Sequence, residues 1–327
     1  MELGKKHKNN NLYKNDTKSK DVCYIMDNIL NGVNIMKTIK EQLTIIQSLI
    51  GNNHKIKVKE DGFISRGFVV DNGKLVFKFP RKPEVQYQTE IDNLNYINSL
   101  NLGVNLQKVA YTSPINEYLA IYGVLETSLE EENLNEEQEK EIGRQLGLFL
   151  KNLHKIKDYK GLPCTLSAEI EAWQNRVNFV NGFITKTFSK KEQEIINILM
   201  FEYMPSKLNE LGENLVFSHG DLGDGNVFVD NELKVGVIDF SESGLLDEAA
   251  DFMDISSDTI REEMLNAYGA TQDLREKVKI RRDIRPLIVL KPYLTRNDPT
   301  IIKNLVARIR GTLNKYEFLL NEENVKR

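Results

Sequence analysis

Hydrophobic periodicity predicts that the first third of the chain mixes helix and strand. Residues 36–50 place apolar side chains at helical spacing, so they are expected to form an amphipathic helix. Residues 55–80 alternate apolar and polar positions around an Asp-Asn-Gly turn, which predicts two or three antiparallel strands. Residues 83–101 return to helical spacing. Two more strands are predicted at residues 104–111 and 118–125.

The rest of the chain has mainly helical periodicity, with a short interruption. A long helix is expected near residues 135–155, and the apolar runs Val227–Val229 and Val235–Ile238 predict a β-hairpin. Other helices are predicted at residues 166–181, 189–203, from 246 onward, 259–268, 271–294 and 298–321.

The pattern therefore predicts an α+β chain with two lobes. We expect a small antiparallel β lobe that covers a nucleotide over residues 36–125, and a mainly helical C-terminal lobe over residues 126–327. Residues 1–35 begin with a Lys- and Asn-rich stretch of low hydrophobicity, which predicts a disordered tail.

Polar side chains cluster around the predicted hairpin. Residues 217–240 read FSHGDLGDGNVFVDNELKVGVIDF, with His219, Asp221, Asn226 and Asp239 at the open end. Asp221 is placed to accept a proton from an attacking hydroxyl. Asn226 and Asp239 supply the hard oxygen ligands that Mg²⁺ takes when it also holds substrate phosphates. His219 is interpreted as a loop-bracing residue. The constellation indicates phosphoryl transfer.

Composition limits the class of protein. The chain has 327 residues, 40% of them hydrophobic and 28% charged, as in a soluble globular protein. It has no run of 18 apolar residues, and its first residues lack the apolar core of a secretory signal, so we expect no membrane association. The two cysteines, Cys23 and Cys164, are interpreted as reduced thiols, with Cys164 packed among apolar neighbours. A cytoplasmic protein is therefore predicted.

Charge is divided unevenly along the chain. Residues 201–270 contain 16 acidic and 3 basic side chains, whereas residues 271–327 contain 7 acidic and 14 basic ones. An acidic catalytic segment disfavours nucleic acid and favours a cationic small molecule as the partner. The candidate substrate contacts are Glu242, Asp247, Glu248 and Glu262.

The order His-Gly-Asp-x4-Asn, followed twelve residues later by Ile-Asp-Phe, resembles the aminoglycoside phosphotransferases, a family with a protein-kinase-like fold. SHGDLGDGNVFV is similar to members that phosphorylate a 3′-hydroxyl, and FKFPR at 77–81 looks more like members acting at a 2″-hydroxyl. The resemblance implies Mg²⁺-dependent transfer from ATP or GTP to an aminoglycoside, and hence antibiotic resistance.

Further site residues follow from the resemblance. A strand lysine that holds the α- and β-phosphates corresponds to Lys78, and its partner on the following helix corresponds to Glu90. Ser65 lies where the family's phosphate-contacting loop falls. Tyr122 lies in the segment that would offer backbone groups to a purine base. The resemblance also implies that Asp251 tethers the catalytic loop.

Two departures leave alternatives open. Ser241-Glu242 stands where the 3′-type enzymes have Gly-Arg, and the chain ends in EENVKR where those enzymes place a terminal carboxylate near the substrate. The alternatives are a kinase of the same fold acting on choline, a methylthio-sugar or a macrolide, and a nucleotide-binding protein without turnover. The sequence does not determine the oligomeric state.

Overall fold

The computed structural model describes residues 37–60, 62, 64–123, 127–129, 132–157, 159 and 161–321. The described residues up to 123, here called the small lobe, contain a five-stranded antiparallel sheet in the order β1-β2-β3-β6-β5. The strands are β1 (Ile56–Lys59), β2 (Ser65–Val70), β3 (Leu75–Pro80), β5 (Lys108–Thr112) and β6 (Leu119–Tyr122). The predicted strands in residues 55–80 are thus confirmed.

The β2–β3 hairpin shows why alternation predicted this sheet. Its turn places Asp71 and Asn72 at φ 46° and 58° and Gly73 at φ 94°, conformations that Asp, Asn and Gly tolerate best. Alternate side chains on the strands, including Phe68 and Phe77, are fully buried. They form a core beneath helix α1 (Ile39–Ile50), whose N-terminus has a capping box.

Helix α2 (Gln88–Asn98) confirms the second predicted helix. The strand predicted at residues 104–111 divides into two. Its second part is β5, whereas the first part, β4 (Asn105–Leu106), leaves the small-lobe sheet. Strand β4 pairs in parallel with β10 (Val235–Val237) of the catalytic hairpin. This pairing joins the chain between α2 and β5 to the catalytic segment.

The predicted hairpin is formed by β9 (Val227–Val229) and β10, in register Val235↔Val229. It is the centre of a four-stranded sheet, β4-β10-β9-β7, whose outer strand is β7 (Thr127–Ser128). A third, two-stranded sheet contains β8 (Leu215–Ser218) and β11 (Gly244–Asp247). The helix predicted from residue 246 is therefore wrong at its start, because β11 continues to Asp247 to pair with β8 and a 3₁₀ turn follows.

The large lobe is helical, as predicted. Its α-helices are α3 (Glu136–Leu153), α4 (Leu166–Phe179), α5 (Asn181–Thr187), α6 (Lys190–Ile198), α7 (Met204–Leu211), α8 (Asp258–Tyr268), α9 (Gln272–Ile288), α10 (Leu290–Arg296) and α11 (Pro299–Lys315). Helices α3 and α8 pack closely at Gly143 and Gly147, where an added Cβ would lie 2.5 Å and 2.4 Å from backbone oxygens of α8. One core includes α3 and the hairpin, and another includes α4 to α7 and α9 to α11.

Three further predictions concern the N-terminal tail and lobe boundary, membrane association, and the cysteines. The predicted tail 1–35 and the lobe boundary at residues 125 and 126 lie outside the described residues. None of the helices that the structure describes combines the length and apolar character needed to cross a bilayer. Cys164 is half-buried and Cys23 lies outside the described residues, so the reduced state of the two cysteines stays a prediction.

Candidate active site

The open end of the β9–β10 hairpin gathers the predicted catalytic residues. The Ile238 N–H donates to the Asn226 carbonyl at 3.0 Å. Asn226, just before β9, and Asp239, just after Ile238, therefore lie close together at the open end of the hairpin. The Asn226 Nδ2 atom donates to the Asp221 carbonyl oxygen at 2.8 Å and to its Oδ2 at 3.0 Å. The amide of Asn226 therefore orients the carboxylate of Asp221.

His219 braces the loop, as its sequence context predicts. The residue is fully buried, and its Nε2 lies 2.8 Å from the Ile238 carbonyl oxygen. Its Nδ1 accepts from the Asp221 N–H at 3.2 Å. A neutral imidazole with its proton on Nε2 satisfies both contacts. The ring thus joins the loop before β9 to the end of β10 and has no free nitrogen for a base.

The carboxylate of Asp251 binds the backbone of the same loop. Its Oδ2 accepts from the His219 N–H at 2.9 Å and from His154 Nε2 at 3.0 Å, and its Oδ1 accepts from the Gly220 N–H at 2.8 Å. Burial opposes ionisation of this carboxyl, but the hydrogen bonds from His154 and from the loop backbone outweigh burial and lower the pKa of Asp251. The contact with the catalytic loop is the one that the sequence predicts for Asp251.

Gly220 allows the loop to turn there. Its φ is +84°, and a Cβ added at this position would lie 2.3 Å from the carbonyl oxygen of Glu242. Any other residue would meet both backbone strain and a collision. The glycine of the His-Gly-Asp motif is therefore required by the close approach of the two catalytic loops.

Lys78 lies between two carboxylates at the cleft. Its Nζ is 2.6 Å from Glu90 Oε1 on α2 and 3.0 Å from Asp239 Oδ1. Burial favours the neutral amine, but the charges of Asp239 and Glu90 outweigh this effect and raise the pKa of Lys78. The lysine is thus held charged in β3, facing the catalytic hairpin. The predicted Lys78–Glu90 pair is present.

Asp239 is held in an uncommon backbone conformation by residues that sequence patterns did not indicate. Its φ is 65° and its N–H donates to Gln107 Oε1 at 3.0 Å. From α2, Asn93 Nδ2 donates to the carbonyls of Phe240 and Ser243 at 3.2 Å and 3.3 Å. Neither residue belongs to a motif or a periodic pattern, so no sequence signal pointed to it.

The environment of Asp221 favours a base that works near neutral pH. Asp221 is an exposed residue whose carboxyl group lies near the carboxylates of Asp254 and Asp239. Loss of solvation, followed by the negative charges of Asp254 and Asp239, raises the pKa of Asp221 to about 6. Above that pH the carboxylate is available to accept a proton.

The oxygen atoms of Asn226 and Asp239 at the hairpin fit a magnesium ion whose remaining ligands are waters and substrate phosphates. The Asn226 Nδ2 is used by Asp221, which leaves Oδ1 as the atom turned away from that contact. Burial raises the pKa of Asp239, but Lys78 and the Ser241 hydroxyl outweigh it and keep the carboxyl ionised. Within the described residues, no group of three or more His, Cys, Asp or Glu side chains forms a closed metal site. Mg²⁺ suits such an open site, since it keeps waters and substrate phosphates as ligands.

The two predicted nucleotide contacts lie in the small lobe. Ser65 begins β2, and its hydroxyl is hydrogen-bonded to the Tyr87 hydroxyl at 2.8 Å. Tyr122 ends β6 and is 49% exposed as a residue. The two residues lie on β2 and β6, the strands that flank β3 with Lys78 in the sheet. Their contact with a nucleotide stays a prediction.

The predicted substrate carboxylates require correction. Asp247 is fully buried and accepts from Lys277 at 2.9 Å and from Arg281 at 3.2 Å, so it does not face a substrate. Glu248 lies 3.5 Å from the Lys277 amine and also accepts from Asn214 and Tyr268. Asp247 and Glu248 are therefore both committed to partners within the protein.

The third predicted substrate carboxylate, Glu262, is an exposed residue of α8 and pairs with Arg275 of α9 at 2.8 Å. Glu242 is half-buried at the end of the loop that carries Asp239. Of the four, it is the one whose place in the chain is next to the catalytic hairpin. Basic residues of α9 pair with five of the 16 acidic residues in this segment, a compensation that the linear charge count could not reveal; the five are Asp247, Glu248, Asp254, Asp258 and Glu262.

Comparison with known proteins supports the fold and the family. The model of the phosphotransferase enzyme family matches residues 55–281, which is more than half of the chain. A GDP complex of aminoglycoside 2′-phosphotransferase-IIIa superposes with a TM-score of 0.68 at 16% identity, covering 85% of this chain and 99% of that one.

Two other solved structures have different acceptors in their names. Macrolide 2′-phosphotransferase from Brachybacterium faecium gives a TM-score of 0.58 at 18% identity, with coverage of 82% and 98%. A choline/ethanolamine kinase family protein from Mesorhizobium loti gives 0.60 at 18%, with coverage of 86% and 93%. These likenesses confirm the kinase-like fold. The match over residues 55–281 shows that the chain belongs to the phosphotransferase enzyme family.

Proposed function

We propose that the protein transfers the γ-phosphoryl group of a nucleoside triphosphate to a hydroxyl of an aminoglycoside. The observation that carries the proposal is the convergence of Lys78, Asp221, Asn226 and Asp239 at one end of the β9–β10 hairpin. Together they provide a phosphate-binding cation, a base and two metal ligands, which are the parts that phosphoryl transfer needs. Family membership supports a hydroxyl as the acceptor.

Each residue has a distinct role in this proposal. Lys78, held by Glu90, binds the nucleotide phosphates. Asn226 and Asp239 hold Mg²⁺, which when bound neutralises charge on the phosphates. Asp221 accepts the proton of the acceptor hydroxyl and orients its oxygen toward the γ-phosphorus. The hydroxyl oxygen forms the new P–O bond as the bond to the nucleoside diphosphate breaks.

The nucleotide and the acceptor are proposed from the comparisons. One relative of the same fold was solved with GDP, which supports a purine nucleotide as the donor. That relative is named as an aminoglycoside phosphotransferase, and the 3′- and 2″-type sequence likenesses agree with it. Glu242, close to Asp239 in the chain, is the carboxylate that we propose for contact with an acceptor amine.

An acceptor with fewer positive charges is the second candidate. Three of the four carboxylates predicted to bind amines are paired within the protein. The Asp254 carboxylate is also bound at both oxygens by Arg285, at 2.6 Å and 2.8 Å. Because these carboxylates are compensated within the protein, the structure supports choline or a macrolide as the acceptor more strongly than the linear charge count does.

A turnover assay with a panel of acceptors distinguishes these functions. The assay would measure kcat/KM with Mg²⁺-ATP and Mg²⁺-GTP for kanamycin-like aminoglycosides, choline and a macrolide. The proposal expects the highest kcat/KM with an aminoglycoside. A higher value for choline or the macrolide would replace the acceptor and leave the phosphotransferase assignment intact.

A further inference from the structure

A cavity of about 830 Å³ lies in the large lobe between α8, α9 and α11. Its volume lies in the range of small-molecule sites. Six basic and four acidic residues line it, and Asp221, Asn226 and Asp239 are not among them. The basic ones are Arg261, Arg275, Lys279, Arg282, Arg308 and Lys315.

Two of these arginines are held close together by shared acceptors. Arg261 Nη1 and Arg282 Nη1 donate to the same Ile255 carbonyl oxygen, at 3.0 Å and 2.7 Å. Both guanidinium groups also contact one carboxylate, that of Asp258. Two full positive charges thus share a single negative charge, which leaves the pair with net positive charge.

A third guanidinium adds to the excess. Burial is the largest cause that lowers the pKa of Arg282, and the charges of Arg261 and Arg308 lower it further, so Arg308 of α11 is the third guanidinium near this pair. Of the other three carboxylates in the lining, Glu262 pairs with Arg275, Asp283 pairs with Lys315, and Glu276 is the third, so the six cations still outnumber the four carboxylates.

Lys279 and Arg308 are the cations that these pairs leave over. Within the part of the chain that the structure describes, no carboxylate lies within ion-pair distance of either side chain. Both are exposed, one on α9 and the other on α11, so they stand on different walls of the cavity. An anion between them would relieve the repulsion and gain charge-assisted hydrogen bonds.

We propose that this cavity binds a small multivalent oxyanion, held by Arg282, Arg308 and Lys279. Phosphate and carboxylate groups each present two neighbouring oxygens that can accept the paired hydrogen bonds of a guanidinium group. The site is separate from the phosphotransfer residues, and the proposal does not depend on which acceptor is phosphorylated.

Calorimetric titration of the full chain with inorganic pyrophosphate, without divalent metal or nucleotide, tests the proposal. We expect binding that Arg308→Gln and Lys279→Gln each weaken about tenfold, the loss of one charge-assisted hydrogen bond. The matched control is Lys303→Gln, an exposed residue of α11 that does not line the cavity and changes the net charge equally. This control should bind as the wild type does.

Three results would overturn the proposal. The first is an absence of pyrophosphate binding by the wild type, and the second is equal weakening by the Arg308 and Lys303 variants. The third is loss of binding in Lys78→Ala alone, since pyrophosphate would then occupy the nucleotide site. A parallel titration with citrate identifies the source, because tighter binding of citrate than of pyrophosphate would indicate a polycarboxylate ligand.

Discussion

Asp221 owes its properties to its neighbours more than to its own identity. The amide of Asn226 fixes its carboxylate, its N–H is held by His219, and the surrounding protein with Asp254 and Asp239 raises its pKa to about 6. A carboxylate with that pKa is ionised near neutral pH yet remains a better proton acceptor than a free aspartate.

Replacing Asp221 with Asn should therefore remove proton acceptance while leaving the nucleotide site in place. We expect kcat to fall about 10²- to 10⁴-fold, with nucleotide affinity nearly unchanged. Asp230→Asn is the matched control, since Asp230 accepts backbone N–H groups in the turn of the same hairpin. Steady-state kinetics and nucleotide titration decide, and near wild-type kcat in the Asp221 variant would contradict its role as base.

Asp239 should respond differently, because its role is to bind the metal. In Asp239→Asn we expect the Mg²⁺ concentration for half-maximal rate to rise about tenfold or more, with partial recovery of activity at high Mg²⁺. A magnesium titration of the initial rate measures this. Superimposable curves for variant and wild type would show that Asp239 is not a ligand.

At the scale of elements, α9 has an importance that its helical pattern does not show. Its Lys277 and Arg281 reach the buried Asp247 at the end of β11, and its Arg285 binds Asp254. Asp254 in turn pairs with Gly223 of the catalytic loop through a β-bridge. One helix thus neutralises part of the acidic segment and braces the loop that follows Asp221.

Removing one member of this buried network should be costly. Arg281 is fully buried and donates to both oxygens of Glu169 at 2.8 Å as well as to Asp247. We expect Arg281→Ala to lower the free energy of unfolding by about 3–5 kcal/mol, because Glu169 loses its bidentate partner and the buried Asp247 loses one of its two cations. The exposed Arg310–Glu192 pair is the control, and Arg310→Ala should cost about 0–1 kcal/mol. Equal losses of unfolding free energy in the two variants, measured by urea unfolding, would show that the buried pairs contribute no more than the exposed one.

The end of helix α1 provides a prediction about pH. His54 Nδ1 lies 2.6 Å from Asp71 Oδ2, and its Nε2 lies 3.0 Å from the Ile50 carbonyl oxygen, so the protonated ring satisfies both. The hydrogen bond with Asp71 is the largest cause that raises the pKa of His54, and it also lowers the pKa of Asp71.

The raised pKa of His54 gives stability that is complete below the ordinary histidine pKa, about 6.5, and is lost as the pH rises through the folded value. The lowered pKa of Asp71 requires a pH above about 4 for its contribution. We therefore expect the Tm difference between wild type and His54→Gln to be largest between these values and to shrink above neutral pH. A difference that does not change with pH would show that the ring binds in its neutral form.

At the scale of the whole molecule, internal pairing changes what the charge distribution means. The excess of acidic residues in 201–270 faces the basic residues of α9, so much of it is not available to a ligand. Attraction of a cationic acceptor then depends on the carboxylates beside the catalytic hairpin, among which Asp221 and Glu242 are the ones next to Asp239 in the chain or in space.

Salt dependence measures how much negative charge remains for the acceptor. Charges at an exposed cleft are screened over about 8–10 Å near physiological salt, so KM for an aminoglycoside should rise with ionic strength while kcat changes little. A singly charged acceptor such as choline should show a shallower rise. Equal slopes for the two acceptors would mean that carboxylates of the cleft do not select a polycation.

Local patterns of the sequence determined the elements and the catalytic motif. Alternation fixed β2 and β3, helical spacing fixed α1, α2 and α3, and the spacing between Asp221, Asn226 and Asp239 indicated one hairpin. These features depend on residues that are neighbours in the chain, so periodicity and turn chemistry are sufficient to predict them. The pairing of Lys78 with Glu90 came from the family resemblance.

Contacts between distant segments were decided only by the tertiary structure. Strand β4 joins β10, Gln107 binds the Asp239 backbone, and Lys277 takes Asp247 away from any substrate. A parallel two-residue pairing has no hydrophobic period of its own, and a buried ion pair has no sequence spacing. Charge counted along the chain predicted a cationic ligand, whereas folding placed α9 against the same carboxylates, because ions removed from water require partners nearby.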